Sequence, residues 1–217
     1  MIEQGTPEWM AMRLGKLTAS RMADVLATTK SGPSASRKNY MAQLVAERLT
    51  GEVAEFFTNA AMAWGTDNEP LARAEYEILR DSTVEQIDFV DHPTIAMCGA
   101  SPDGLVSDSG LVEIKCPNTA THIDYLLGQK PPAKYIPQMA LQLACTGREW
   151  CDFVSYDPRM PEPHRLFIVR YTPDSEYMEK INSEAVSFLA EVESIIQRLN
   201  GVADKRKNEL QPMEVAA

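Results

Sequence analysis

At 217 residues, with 44% hydrophobic and 24% charged side chains, the chain is long enough for one domain with a full core. No apolar run approaches the ~18 residues a membrane helix needs. The start, MIEQGTPEW, has neither the basic nor the apolar region of a secretory signal. These features lead us to expect a soluble cytoplasmic protein. The net charge of −10 taken alone argues against a nucleic-acid partner, but the charge is uneven. Residues 1–50 carry seven Lys/Arg against four Asp/Glu, whereas residues 51–113 carry two against thirteen. The four cysteines (98, 116, 145 and 151) contain no C-x-x-C pair, which argues against a zinc or iron–sulfur centre.

In chain order, TPEWMAMRLG (6–15) predicts a helix with Thr6 as cap, Pro7 in the first turn and Gly15 as stop. A second short helix is expected from Thr18 to about Ala27. Arg13 and Ser20 meet at this junction, where a helix start, a hydroxyl and a guanidinium suit a phosphate. By themselves they read more readily as a solvated arginine and a capping serine. TTKSGPSASRK (28–38) reads as a flexible basic loop whose Lys30, Arg37 and Lys38 are either solvated or set against a DNA backbone. Asn39–Thr50 predicts a structural helix. A long helical pattern spans 59–80, and Pro70 inside it predicts a kink or break around 67–70. Met62 and Trp64 read as core.

Strands are expected at 84–91, 94–99, 111–116, 149–156 and 165–171, and helices at 121–128, 134–147 and 174–200. Gln138 and Gln142 lie one turn apart on a single helix face. Residues 201–217 read as a frayed polar tail. The irregular alternation predicts an α/β fold with a mixed central sheet flanked by helices, as a single domain.

The chain is organised around SPDGLVSDSGLVEIKC (101–116). Asp103 sits in a Pro-Asp-Gly turn signal. Ten positions on, Glu113 and Lys115 fall on one face of a strand while Val112 and Ile114 fall on the other. A hairpin between the two pieces would bring Asp103 to Glu113. Two carboxylates and an ammonium suit metal-assisted phosphodiester cleavage, because Mg²⁺ takes oxygen ligands from one or two carboxylates. A plain surface hairpin with an incidental Glu/Lys pair is the alternative.

This stretch resembles the PD-(D/E)xK nuclease motif. Together with WMAMRLGKLTAS (9–20), AMAWGTDNEP (61–70), LVEIKCP (111–117) and YDPRM (156–160), it resembles the phage lambda-type exonucleases of the YqaJ-like viral recombinase family. The resemblance implies a restriction-endonuclease-like core and a metal-dependent deoxyribonuclease that degrades one strand of linear duplex DNA 5′ to 3′. The products would be 5′-mononucleotides and a 3′ single strand for recombination. It implies catalytic roles for Asp103, Glu113, Lys115 and Glu69. Asp103, Glu113, Ile114 and Glu69 would lie around two Mg²⁺ ions, for which Mn²⁺ can substitute. Arg13, Ser20, Ser101 and Gln138 would grip DNA and its 5′-phosphate, and Met62 would wedge the strands apart. It further implies a ring-shaped homotrimer, a single-strand annealing partner, and a phage or prophage origin in a bacterial cytoplasm. Two departures stand out: Pro70 follows Glu69, and the 118–134 connection is shorter. A site-specific endonuclease on the same fold, or a non-catalytic protein that binds DNA ends, remain as alternatives.

Overall fold

The structure is a computed structural model and describes residues 4–53 and 59–209. Two small elements lead the chain, α1 (Pro7–Arg13) and β1 (Leu17–Thr18), followed by a 3₁₀ turn, Ala19–Arg21, that runs into α2 (Met22–Leu26). A two-residue hairpin, β2 (Thr28–Thr29) and β3 (Gly32–Pro33), leads into α3 (Ala35–Thr50) and α4 (Ala60–Arg80). Five strands follow: β4 (Val84–Glu85), β5 (Val90–Asp91), β6 (Cys98–Ala100), β7 (Gly104–Val106) and β8 (Gly110–Lys115). Then come α5 (Thr119–Gly128), α6 (Ile136–Thr146), β9 (Trp150–Tyr156), β10 (Leu166–Tyr171) and α7 (Ser175–Glu209).

The main sheet runs β10-β9-β8-β7-β4. Only the β8–β9 pair is parallel, so the sheet is mixed, as expected. The parallel step needs a crossover, and α5 with α6 supply it. One sheet face packs on α4, where Ala72 and Tyr76 meet Val84, Val112, Ile114 and Val154. The other packs on α6, where Met139 and Leu143 meet Leu111, Cys151 and Phe153. A second small sheet, β1-β6-β5, lies in a larger cluster built from α2, α3, α6 and α7. The chain passes from β6 through Ser101-Pro102-Asp103 into β7, so one short segment joins the two sheets.

Three expectations need correction. The stretch 28–38 is not one loop: it forms the β2–β3 hairpin, and α3 begins at Ala35 because Ser34 caps it, accepting from the Arg37 amide at 3.1 Å. Arg37 is consequently buried and not a loop cation; its guanidinium makes a bidentate pair with Glu191 of α7 at 2.7 and 2.9 Å. The predicted break at 67–70 does not occur, since α4 is continuous across Pro70. The carbonyl that Pro70 leaves without its helical partner belongs to Thr66, and both residues are exposed, so water can satisfy it. Finally, α7 continues through 201–209, where the polar composition predicts fraying. The remainder of that predicted tail, 210–217, lies outside the described residues. All four cysteines are free thiols, and no helix among the described residues is long and apolar enough to cross a membrane.

Candidate active site

The β7–β8 hairpin builds the first half of the site. Its antiparallel register sets Gly104 opposite Val112, and one step further along the same register carries the preceding Asp103 beside Glu113. The Ile114 amide donates to Asp103 Oδ2 at 2.6 Å and pins the Pro-Asp-Gly turn to the strand. Gly104 is required for this approach: a Cβ there would stand 2.1 Å from Val84 Cγ1 on the edge strand. Strand alternation then does what the sequence predicts. Val112 and Ile114 enter the core on the α4 side, while Glu113 and Lys115 turn the other way.

Lys115 Nζ is ion-paired with Glu113 Oε1 and lies 4.0 Å from Asp103 Oδ2. Burial alone would lower the lysine, but Glu113 and Asp103 outweigh it and hold the ammonium above its usual range. Burial, with the repulsion of Glu113, pushes the Asp103 carboxyl well above the ordinary aspartate range. Glu113 is fully buried, and both its oxygens are held by α6. Gln138 Nε2 donates to Oε1 at 2.6 Å and Gln142 Nε2 donates to Oε2 at 2.7 Å. Glu69 approaches from α4, where burial raises it and Glu113 and Lys115 are close enough to act on it. Its carboxylate is paired with Arg73 one turn along the helix at 2.5 Å.

Among the described residues, no three His, Cys, Asp or Glu side chains are arranged to hold a metal ion as they stand. Asp103 and Glu113 nevertheless fit a hard divalent cation. The donor set is all oxygen, and the crowded carboxylates leave buried negative charge that a cation would relieve. Glu69 would have to leave Arg73 to join them.

The second half of the site is cationic and comes from the N-terminal elements. Thr6 caps α1, accepting from the Trp9 amide at 3.3 Å, and Pro7 occupies its first turn. The chain reverses at Gly15, whose φ of +67° suits glycine and where a Cβ would meet the Arg48 Cγ at 2.8 Å. Glu47 accepts from the Gly15 amide and Arg48 donates to its carbonyl, both at 2.8 Å, fixing the turn against α3. The reversal brings Ser20 back beside Arg13. Arg13 Nη2 reaches Ser20 Oγ at 3.4 Å and Thr18 Oγ1 at 3.5 Å, and the guanidinium stacks on Trp9 at 3.9 Å. It has no carboxylate ion pair among the described residues, and burial pushes it down to about 10. It borders a cavity of about 330 Å³ lined also by Lys16 and Arg21.

Trp9 links the two halves, because its indole Nε1 donates to Ser101 Oγ at 3.1 Å, two residues before Asp103. The structure therefore brings Arg13 and Ser20 together and ties Ser101 to them through Trp9. Gln138 stands apart from that pocket, on Glu113. Met62 lies in the first turn of α4 and is 37% exposed, so it is not the core residue its own context suggests. The YDPRM word pins elements together: buried Asp157 accepts from Thr119 and Arg159, and Arg159 stacks on Trp64 of α4 at 4.5 Å. Sequence reasoning missed Trp9, Thr18, Arg73 and Gln142. For Gln142 a signal existed, a glutamine inside the apolar word ALQLAC.

A mixed sheet covered by helices on both faces, with a buried carboxylate pair and a lysine on its central hairpin, defines the restriction-endonuclease-like class. Within it, the chain belongs to the YqaJ-like viral recombinase domain family, whose domain matches residues 8–149. It is similar to the crystal structure of an alkaline exonuclease, LHK-Exo, from Laribacter hongkongensis. The identity is 53%, the TM-score 0.86, and the alignment covers 92% of this chain and 99% of that one. LHK-Exo in complex with dAMP aligns with the same values. A phage-related exonuclease from Haemophilus somnus 129PT shares the fold at 16% identity and a TM-score of 0.69, over 85% of this chain and 96% of that one. No protein of curated function matches the chain.

Proposed function

We propose that this nuclease is a Mg²⁺-dependent exonuclease that degrades one strand of linear duplex DNA from its 5′ end, releasing 5′-mononucleotides and leaving a 3′ single strand for recombination. The observation that carries the reading is the pairing of two regions. Lys115 stands against Asp103 and Glu113, and Arg13, which has no carboxylate ion pair among the described residues, is joined to that hairpin through Trp9 and Ser101. The similar structures are of an alkaline exonuclease, one of them in complex with dAMP, and this supports the same reading.

In this reading Asp103, Glu113 and the Ile114 carbonyl hold the cation, and Glu69 joins on leaving Arg73. When bound, Mg²⁺ supplies Lewis-acid polarisation of the phosphate and a more acidic water. Lys115, kept protonated by its two carboxylates, orients the attacking water and neutralises charge that grows on the phosphate oxygens. Arg13, Ser20 and Ser101 grip the 5′-phosphate, so each newly exposed end is seated for the next cut. Gln138 fixes Glu113 at the edge nearest the DNA, and Met62 wedges the duplex end. Mn²⁺ would serve in place of Mg²⁺. A ring-shaped homotrimer and a single-strand annealing partner complete the proposal, on the strength of the family resemblance.

The test is linear duplex DNA labelled at its 5′ or 3′ end, with and without Mg²⁺, beside covalently closed circles. Early release of 5′-labelled mononucleotide only with metal, and intact circles, are expected. Cleavage of the circles would favour a site-specific endonuclease, and no metal-dependent product would leave a DNA-end-binding protein.

A further inference from the structure

We infer that Gln142 is a positioning residue that holds Glu113 in the orientation a metal ligand needs, acting through that carboxylate and not on DNA. The inference rests on the reading of Glu113 proposed above. A fully buried ionised carboxylate must be matched by donors on both oxygens. Oε1 has two, the Lys115 ammonium and the Gln138 amide. Among the described residues Oε2 has one, the Gln142 amide at 2.7 Å. The two glutamines sit one turn apart on the same face of α6, but their surroundings differ. Gln138 is half-buried at the mouth of the site, whereas Gln142 is fully buried beneath it.

Packing does not account for a glutamine at 142. Its neighbours along α6 are Met139, Ala140, Leu141 and Leu143, all buried, and a methionine would fill the same kind of space. The glutamine also brings a liability. Because its nitrogen must face the carboxylate, its carbonyl oxygen faces the other way, buried and without a hydrogen-bond partner. A buried acceptor left unpaired is destabilising and calls for an explanation. The explanation offered by the geometry is the donor at its other end. The terminal torsion of a glutamate is broad, so a carboxylate with one oxygen free swings readily. With Lys115 and Gln138 both gripping Oε1, Gln142 alone among the described residues fixes where Oε2 lies.

The test uses the full-length protein without DNA. Mn²⁺ is titrated calorimetrically into wild type, Gln142→Met, Gln142→Asn and Glu113→Gln, each checked by circular dichroism. Loss of an outer partner of a metal ligand typically weakens metal binding about 10–100-fold. That loss is expected in Gln142→Met, while in a separate assay at saturating metal its KM for DNA ends should stay within about twofold of wild type, because the side chain is fully buried on Glu113. Where the methionine variant fails to fold, Gln142→Asn carries the test; it keeps the amide but falls short of Oε2, and the same weakening is expected. Wild-type Mn²⁺ affinity in a folded Gln142 variant, with Glu113→Gln binding none, overturns the role of Gln142 alone. Wild-type affinity in Glu113→Gln overturns the metal-site reading and this inference with it.

Discussion

The two halves of the site solve opposite electrostatic problems. The β7–β8 hairpin concentrates buried negative charge and fixes its place with internal donors, though burial and Glu113 still hold Asp103 above its ordinary range: Asp103 takes the Ile114 amide, and Glu113 takes Lys115, Gln138 and Gln142. The α1–β1 corner half-buries a positive charge and gives it no carboxylate among the described residues, with two long hydroxyl contacts and an aromatic face around Arg13. A burial cost that is met locally gives a rigid centre. One that is left open gives affinity for whatever anion arrives. The first half is suited to holding a cation and the second to holding a phosphate, and Trp9 couples them through Ser101.

The contrast is broken most severely at the hairpin. Asp103→Ala or Glu113→Ala is expected to cut hydrolysis by about 10³-fold or more, since metal catalysis contributes several kcal/mol and each 1.36 kcal/mol is tenfold. Binding to 5′-phosphorylated ends should stay near wild type, because Arg13 and Ser20 are untouched. Hydrolysis rates at saturating Mg²⁺ and end-binding isotherms check both parts, and near-normal hydrolysis in either variant would refute the assignment.

Lys115→Ala comes next, with an expected loss of about 10²–10³-fold in turnover, the range for removing one group that stabilises transition-state charge. Calorimetry should show metal affinity largely retained, because an ammonium is not a metal ligand. A large fall in affinity with the fold intact would move Lys115 from chemistry to site assembly.

Breaking the other half has a smaller and more selective effect. Wild type should degrade 5′-phosphate ends faster than 5′-hydroxyl ends. Arg13→Ala should shrink that preference by about 10–100-fold, the worth of a charge-assisted hydrogen bond of about 1.5–3 kcal/mol. Initial rates on matched duplexes decide it, and equal wild-type rates on both ends would remove the pocket.

The smallest expected effect concerns the scaffold behind that pocket. Hydrogen bonding from Arg37 holds the Glu191 carboxyl below its ordinary value. The contribution is therefore complete above about pH 4.3, the unfolded glutamate value, and is lost as pH falls through the lower folded one. Glu191→Gln should lower the melting temperature by about 1–3 °C at pH 7, the scale of a pair whose carboxylate stays exposed, with the gap closing in acid. A gap that persists at pH 3 would mean the pair contributes by packing and not by charge.

Strand alternation in LVEIK was enough to put Glu113 and Lys115 on one face and Val112 and Ile114 on the other, because side-chain direction along a strand is local. The Pro-Asp-Gly turn and the ten-residue spacing suggested the hairpin that carries Asp103, and apolar periodicity found β8, β9, β10 and the helices, but the single strand expected at 84–91 is two short ones, β4 in the main sheet and β5 in the small one, and β7 was not among the expected strands. Local signals also misled where tertiary partners decide. Arg37 reads as a loop cation until Glu191, 154 positions away, is beside it. Pro70 reads as a break until its orphaned carbonyl is seen to face solvent. Gln138 and Gln142 are equivalent in sequence, one turn apart. What separates them is depth below the surface and which oxygen of Glu113 each one reaches, and both are properties of how α6 packs on the sheet. The Trp9–Ser101 link belongs to the same category. It spans 92 positions, and no local propensity encodes a contact whose partners meet only after the two sheets are built.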